Sequence, residues 1–85
     1  MILFREGVLK MSIMIFVDQD IQLNFSMPKS LKILIEECDE FARNNDWYFY
    51  MVRRDEIEST GKAALQNGTI TEQQFDLILK KYGVR

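Results

Sequence analysis

Two acidic clusters are the groups in this 85-residue chain whose spacing could do chemistry. Glu36-Glu37-x-x-Glu40 and Asp55-Glu56-x-Glu58 lie fourteen residues apart. Carboxylates at these spacings share a helix face, and such a face can hold a hard divalent cation that activates water or grips phosphate oxygens. The competing reading is a solvated charged face, with Asp39 and Arg43 easing repulsion at i,i+4. The second reading weighs more, so no metal is expected at either cluster. The chain has no histidine, which removes the usual triads, HExxH arrangements and His-ligated zinc sites. It also lacks a Gly-rich phosphate loop. Cys38 has no imidazole to activate it and reads as a buried, inert thiol. Asp18 and Asp20 flank a turn but lack the further ligands and central Gly of a calcium loop. The expectation is a chain that is not an enzyme, with no catalytic residue and no cofactor.

The elements that carry these groups come next. Residues 12–17 are apolar on both faces and read as a central strand, Asp18-Gln19-Asp20 as a turn. Ile21, Leu23, Phe25 and Met27 alternate with Gln22, Asn24 and Ser26, as in a strand wet on one side. Together they predict a β-hairpin. Pro28 then opens a helix that Ser26 or Ser30 would cap. Leu31, Leu34, Ile35, Cys38, Phe41 and Ala42 fill its apolar arc, and Asn44-Asn45 ends it.

A second helix is predicted over roughly residues 47–66, capped by Asp46, with Trp47, Tyr50, Met51, Ile57, Ala64 and Leu65 on one stripe. Six consecutive apolar residues, 47–52, would also suit a buried strand. Gly61 marks a close approach or a bend. The third helix, roughly residues 71–82, has the most complete local signals. Asn67-Gly68 is a turn, Thr71 and Gln74 have capping-box spacing, and Ile70 is placed to staple onto the first turns. Phe75, Ile78, Leu79 and Tyr82 share one face, and Gly83 stops the helix.

The predicted fold is therefore α+β, one domain over residues 1–85: an N-terminal β-hairpin packed on three α-helices. Residues 1–11 would add two short strands and make a three-stranded meander. Otherwise they form a flexible or alternative-start extension, Met11 being a second start. At 47% hydrophobic and 28% charged the composition is globular, and a net charge of −2 is too small to steer nucleic acid or acidic membranes. A lone cysteine excludes an internal disulfide and fits a reducing cytoplasm. No apolar run approaches the ~18 residues of a membrane span. MILFREGVLK breaks its apolar stretch with charges and a Gly, unlike a signal peptide.

Two resemblances attach to these motifs. Glu36-Glu37-x-x-Glu40 resembles the EExxE motif of MazG-type nucleotide pyrophosphohydrolases, although Asp55-x-x-Glu58 reverses that family's second motif. Leu65, Asn67-Gly68, Ile70-Thr71-Glu72, Phe75 and Lys80 resemble the SHOCT short C-terminal domain, over about residues 59–83. The SHOCT resemblance implies an interaction or oligomerisation element without catalytic residues, of bacterial or mobile-element origin.

The function expected is a small cytoplasmic interaction or oligomerisation module, with a protein partner or itself as a homodimer. Ile33, Phe49 and Val52 fall off the main apolar stripes and are the candidate interaction surface. The alternative is a nucleic-acid-associated regulator using the C-terminal helix-turn-helix, with Trp47, Tyr48 and Tyr50 stacking on bases and Arg53, Arg54 and Lys62 as a thin basic patch. Glu72 and Asp76 in the second helix would repel phosphates. Mg-dependent hydrolysis is the remote alternative.

Overall fold

Helix α1 (Lys29–Arg43) turns sharply into α2 (Trp47–Gln66), and α3 (Glu72–Lys81) folds back at the far end of α2. These bounds come from a computed structural model that describes residues 13–83. A 3-10 turn, Ile13–Phe16, precedes the helices. In α1 the buried residues are Leu31, Ile35, Cys38 and Ala42, spaced by three and four. They meet Tyr50, Ile57, Gly61 and Ala64 of α2. The register is antiparallel: Phe41 stacks on Phe49 at 5.3 Å, and Glu37 pairs with Arg53 at 3.0 Å. Phe75, Ile78 and Leu79 of α3 close the core with Ile13, Val17, Ile70 and Tyr82.

Both corners end their helices in the same way. After α1, Asn45 takes φ 55°, Asp46 N–H donates to Phe41 C=O (2.9 Å) and Asn45 N–H to Ala42 C=O (3.2 Å). After α2, Gly68 takes φ 76°, Thr69 N–H donates to Ala64 C=O (3.0 Å) and Gly68 N–H to Leu65 C=O (3.1 Å). Each is a Schellman closure, which satisfies the last carbonyls of a helix through one left-handed residue. Asn at the first corner does more than turn the chain. Its Oδ1 accepts Ile13 N–H at 2.9 Å and fastens the 3-10 turn to the helices, a bond that glycine could not make.

The start signals of α3 form as predicted. Thr71 accepts Gln74 N–H at 3.1 Å, and Gln74 Oε1 accepts Thr71 N–H at 2.9 Å, a complete capping box. A Cβ at buried Gly61 would lie 2.8 Å from the Phe75 ring, so glycine is what lets α3 approach α2. Helix α1 starts differently from the prediction: Pro28 itself occupies the N-cap, with no side-chain cap bond from Ser26 or Ser30.

The α+β expectation is overturned: there is no strand and no β-hairpin among the described residues. Residues 13–17 form a helical turn, Val17 N–H bonding Met14 C=O at 3.1 Å. Ile13 and Val17, four apart, are buried, whereas Ile15 and Phe16 are exposed. A strand apolar on both faces needs covering layers on both sides, and this chain spends its apolar surface on a helical core instead. The Asp18–Asp20 turn does form, with Asp20 N–H on Asp18 Oδ1 at 3.0 Å. Residues 21–27 keep their alternation, Ile21, Leu23, Phe25 and Met27 inward and Gln22, Asn24 and Ser26 outward, but pair with no neighbouring strand among the described residues. They form an irregular strap, bent at Phe25, whose inward residues pack against the core. The two short strands expected within residues 1–11 lie outside the described residues.

Candidate functional site

The two acidic clusters do approach each other across the α1–α2 hairpin, but an arginine lies between them. Arg53 Nε donates to Glu37 at 3.0 Å and its Nη1 to Glu56 at 2.7 Å. The guanidinium stands where a cation bridging the clusters would have to sit. Its charge is held further by both carboxylates, with the Glu56 hydrogen bond the largest influence raising its proton affinity. Among the described residues, no three His, Cys, Asp or Glu side chains are grouped to hold a metal ion. Asp39, expected to pair with Arg43, accepts the Tyr82 hydroxyl at 2.7 Å instead.

Cys38 is wholly buried, its thiol 4.0 Å from the Tyr50 carbonyl. Burial, aided by nearby Asp39 and opposed by Arg54, pushes its pKa up to about 12. A thiol held protonated this firmly is a poor nucleophile.

Of the three basic residues behind the nucleic-acid alternative, Arg53 and Arg54 are already engaged and Lys62 is exposed. Arg53 holds the two glutamates, and Arg54 Nη2 donates to Gly83 C=O at 3.0 Å. Lys81 Nζ donates to the carbonyls of Asp18 (3.2 Å) and Ile21 (2.8 Å), clamping the start of the strap onto α3. Lys80 pairs with Asp76 at 3.6 Å. Contact with phosphates would have to displace several of these bonds.

The three candidate interface residues fall on one seam between α1 and α2. Ile33 shares a face of α1 with Glu37 and Phe41, at successive i,i+4 steps. Phe49 shares a stripe of α2 with Val52, Arg53 and Glu56. Ile33 is 42% and Phe49 44% exposed, and Val52 is half-buried. Phe49 and Val52 are neighbours. Ile33 is not next to them: the Glu37–Arg53–Glu56 bridge interrupts the apolar surface, with Arg53 also 5.9 Å from the centre of the Phe41 ring.

More apolar surface stands at the start of α2 than the sequence pattern predicts. Tyr48 is 71% exposed, and Met51, predicted on the buried stripe, is exposed, as are Ile15 and Phe16. Phe16 contacts Trp47 edge-on at 5.6 Å, and Tyr48 meets Phe49 at 5.1 Å. The signal was present in the six apolar residues 47–52. Once they are helical they point all round the helix, and one helical partner covers only one side.

Beside this surface a cleft of about 240 Å³ is lined by Phe16, Trp47, Tyr50, Met51, Arg54, Tyr82 and Gly83. The Tyr50 hydroxyl and Arg54 Nε are buried without a hydrogen-bond partner among the described residues. Among the described residues, no helix is long and apolar enough to cross a membrane. No family model, curated protein or solved structure matches this chain.

Proposed function

We propose that this chain is a small, non-enzymatic interaction or oligomerisation module acting in the cytoplasm, as the resemblance of its C-terminal third to SHOCT implies. The observation that carries the reading is the exposed aromatic pair Tyr48 and Phe49 at the start of α2, with Val52 beside Phe49 on the same stripe. Large aromatics anchor protein contacts, because they bury much area for little lost conformational freedom. The charged bridge of Glu37, Arg53 and Glu56 borders the patch and supplies the polar rim such contacts use. Ile33 lies beyond that bridge, at the edge of the contact. The partner is a protein, a second copy of the chain being the simplest.

Phe49→Glu tests this. Its circular dichroism is expected to match that of the native chain, since Phe49 is close to half exposed. Sedimentation velocity over a concentration series is expected to show native self-association that weakens in the variant. Equal association of the two chains would sink the assignment of this surface.

A further inference from the structure

Arg53 and Arg54 are neighbours in sequence, yet their guanidinium groups meet opposite surroundings. Arg53 is held by Glu37 and Glu56. Arg54 lines the cleft of about 240 Å³ beside Phe16, Trp47 and Tyr82, and no carboxylate pairs with it among the described residues. A guanidinium has five N–H donors. Arg54 Nη2 donates to Gly83 C=O at 3.0 Å, and Nη1 to the Met51 thioether at 3.9 Å. Sulfur is a weak acceptor, so the second contact is readily exchanged for a stronger one. The Tyr82 hydroxyl is already committed to Asp39, at 2.7 Å.

We propose that this cleft binds a small aromatic carboxylate, its ring against Phe16 and Trp47 and its carboxylate on Arg54. Charge selects the anion. Among the described residues Arg54 is the one charged group of the lining, and a cation set among aromatic side chains attracts an anion more strongly than one in water. One positive charge is balanced by one carboxylate. A phosphate dianion would bring a second charge and more oxygens than apolar walls can satisfy. The walls select the ring. Phe16 and Trp47 meet at 5.6 Å and 65°, and Trp47 and Tyr50 at 6.4 Å and 86°. A ring that stacks on one of them is therefore steeply inclined to the next, and offset stacking and edge contact are the arrangements aromatic pairs prefer. Volume sets the size. A cavity of about 150 Å³ holds benzene, so about 240 Å³ takes one ring with its carboxylate. The lining shares no residue with Tyr48, Phe49 and Val52, so the inference goes beyond the protein-contact surface.

Trp47 is the only tryptophan of the chain, so its fluorescence reports on the cleft directly. Benzoate is expected to change that fluorescence saturably, with half-saturation at about 1 mM or below, the strength open to so small a ligand. Benzamide has nearly the same shape without the charge and is expected to bind about ten-fold more weakly. Acetate at the same ionic strength is expected to give no saturable change. Arg54→Met is expected to bring benzoate down to the level of benzamide. Arg54→Lys keeps a cation and is expected to keep the preference for benzoate, which leaves a reading if circular dichroism shows that Arg54→Met does not fold. No saturable response to benzoate up to about 10 mM would leave the cleft to water and overturn the proposal. Benzamide binding as tightly as benzoate, undiminished benzoate affinity in folded Arg54→Met, or a folded Arg54→Lys chain without the preference would each overturn it too.

Discussion

Tyr50 and Tyr82 are 2% and 1% exposed, and both rings belong to the same core, yet their hydroxyls end in different environments. Tyr82, at the end of α3, donates to Asp39 of α1 at 2.7 Å and ties the last helix to the first. Tyr50, on α2, packs edge-on against Trp47 at 6.4 Å, and its hydroxyl has no partner among the described residues. Burial raises the proton affinity of both: Tyr50 to about 12, and Tyr82 further, because its bond to Asp39 requires the proton. For equal rings, then, the packing gain is similar and the polar atom decides the balance. A hydroxyl bonded to a carboxylate adds to stability, whereas a buried one without a partner subtracts from it.

Removing each side of this comparison gives effects of graded size. Tyr82→Ala takes away the ring and the helix tie together and is expected to cost about 3–5 kcal/mol, the range for deleting a buried aromatic. Chemical denaturation would measure it, and a cost under about 2 kcal/mol would mean that α3 is held mainly by Phe75 and Ile78. Tyr82→Phe keeps the ring and removes the charge-assisted bond. Asp39 is only half-buried and regains water, so the cost is expected at about 1–2 kcal/mol. Paired with Asp39→Ala in a double-mutant cycle, the two changes are expected to be clearly less than additive.

Alkaline pH separates the two tyrosines without any loss of volume. Cys38, Tyr50 and Tyr82 all have folded pKa values raised above their unfolded values of 9.0, 10.0 and 10.0. A raised pKa means that the folded state holds its proton more tightly. The stability it contributes is whole below the unfolded value and is lost as pH rises through the folded one. Denaturation free energies are therefore expected to be level up to about pH 9 and to fall above it. The gap between the native chain and Tyr82→Phe should narrow above about pH 10, since only the native chain has that proton to lose. A gap that stays constant would show that the Tyr82 hydroxyl releases its proton as readily in the folded chain as in the unfolded one.

How much of this was legible in the sequence depends on where each decision is made. The capping box of Thr71 and Gln74, the Gly68 turn and the face of Phe75, Ile78 and Leu79 are local, and α3 follows from them within a residue or two. The arc of α1 was equally readable, because amphipathic periodicity names its own inner face. Helix α2 was less so: residues 47–52 also suited a strand, and Met51 of its predicted stripe is exposed. Residues 13–27 were not. Their alternation correctly marked Leu23, Phe25 and Met27 as inward, but alternation does not reveal whether a partner strand lies alongside. Ile13 to Val17 read as a strand because nothing nearby in sequence shows Asn45 reaching back to hold Ile13 N–H. The seam residues Ile33, Phe49 and Val52 were legible as misfits of helical stripes. Arg53 dividing them was not, since its bond to Glu37 depends on the α1–α2 register.

Tyr50→Phe carries the smallest expected effect and the sharpest sign. Deleting an unpartnered buried hydroxyl removes a desolvated polar atom and leaves the ring against Trp47. The variant is expected to match the native chain or exceed it by up to about 1 kcal/mol, the reverse of Tyr82→Phe. Above about pH 10 its advantage should grow, because the native chain must then also release the raised Tyr50 proton. A loss of more than about 1 kcal/mol would reverse the assignment. It would place a buried water between the Tyr50 hydroxyl and Arg54 Nε, the two unpartnered polar atoms among residues lining the same cleft. Arg54→Met separates the cases: with a shared water its effect is coupled to that of Tyr50→Phe, and without one the two effects add.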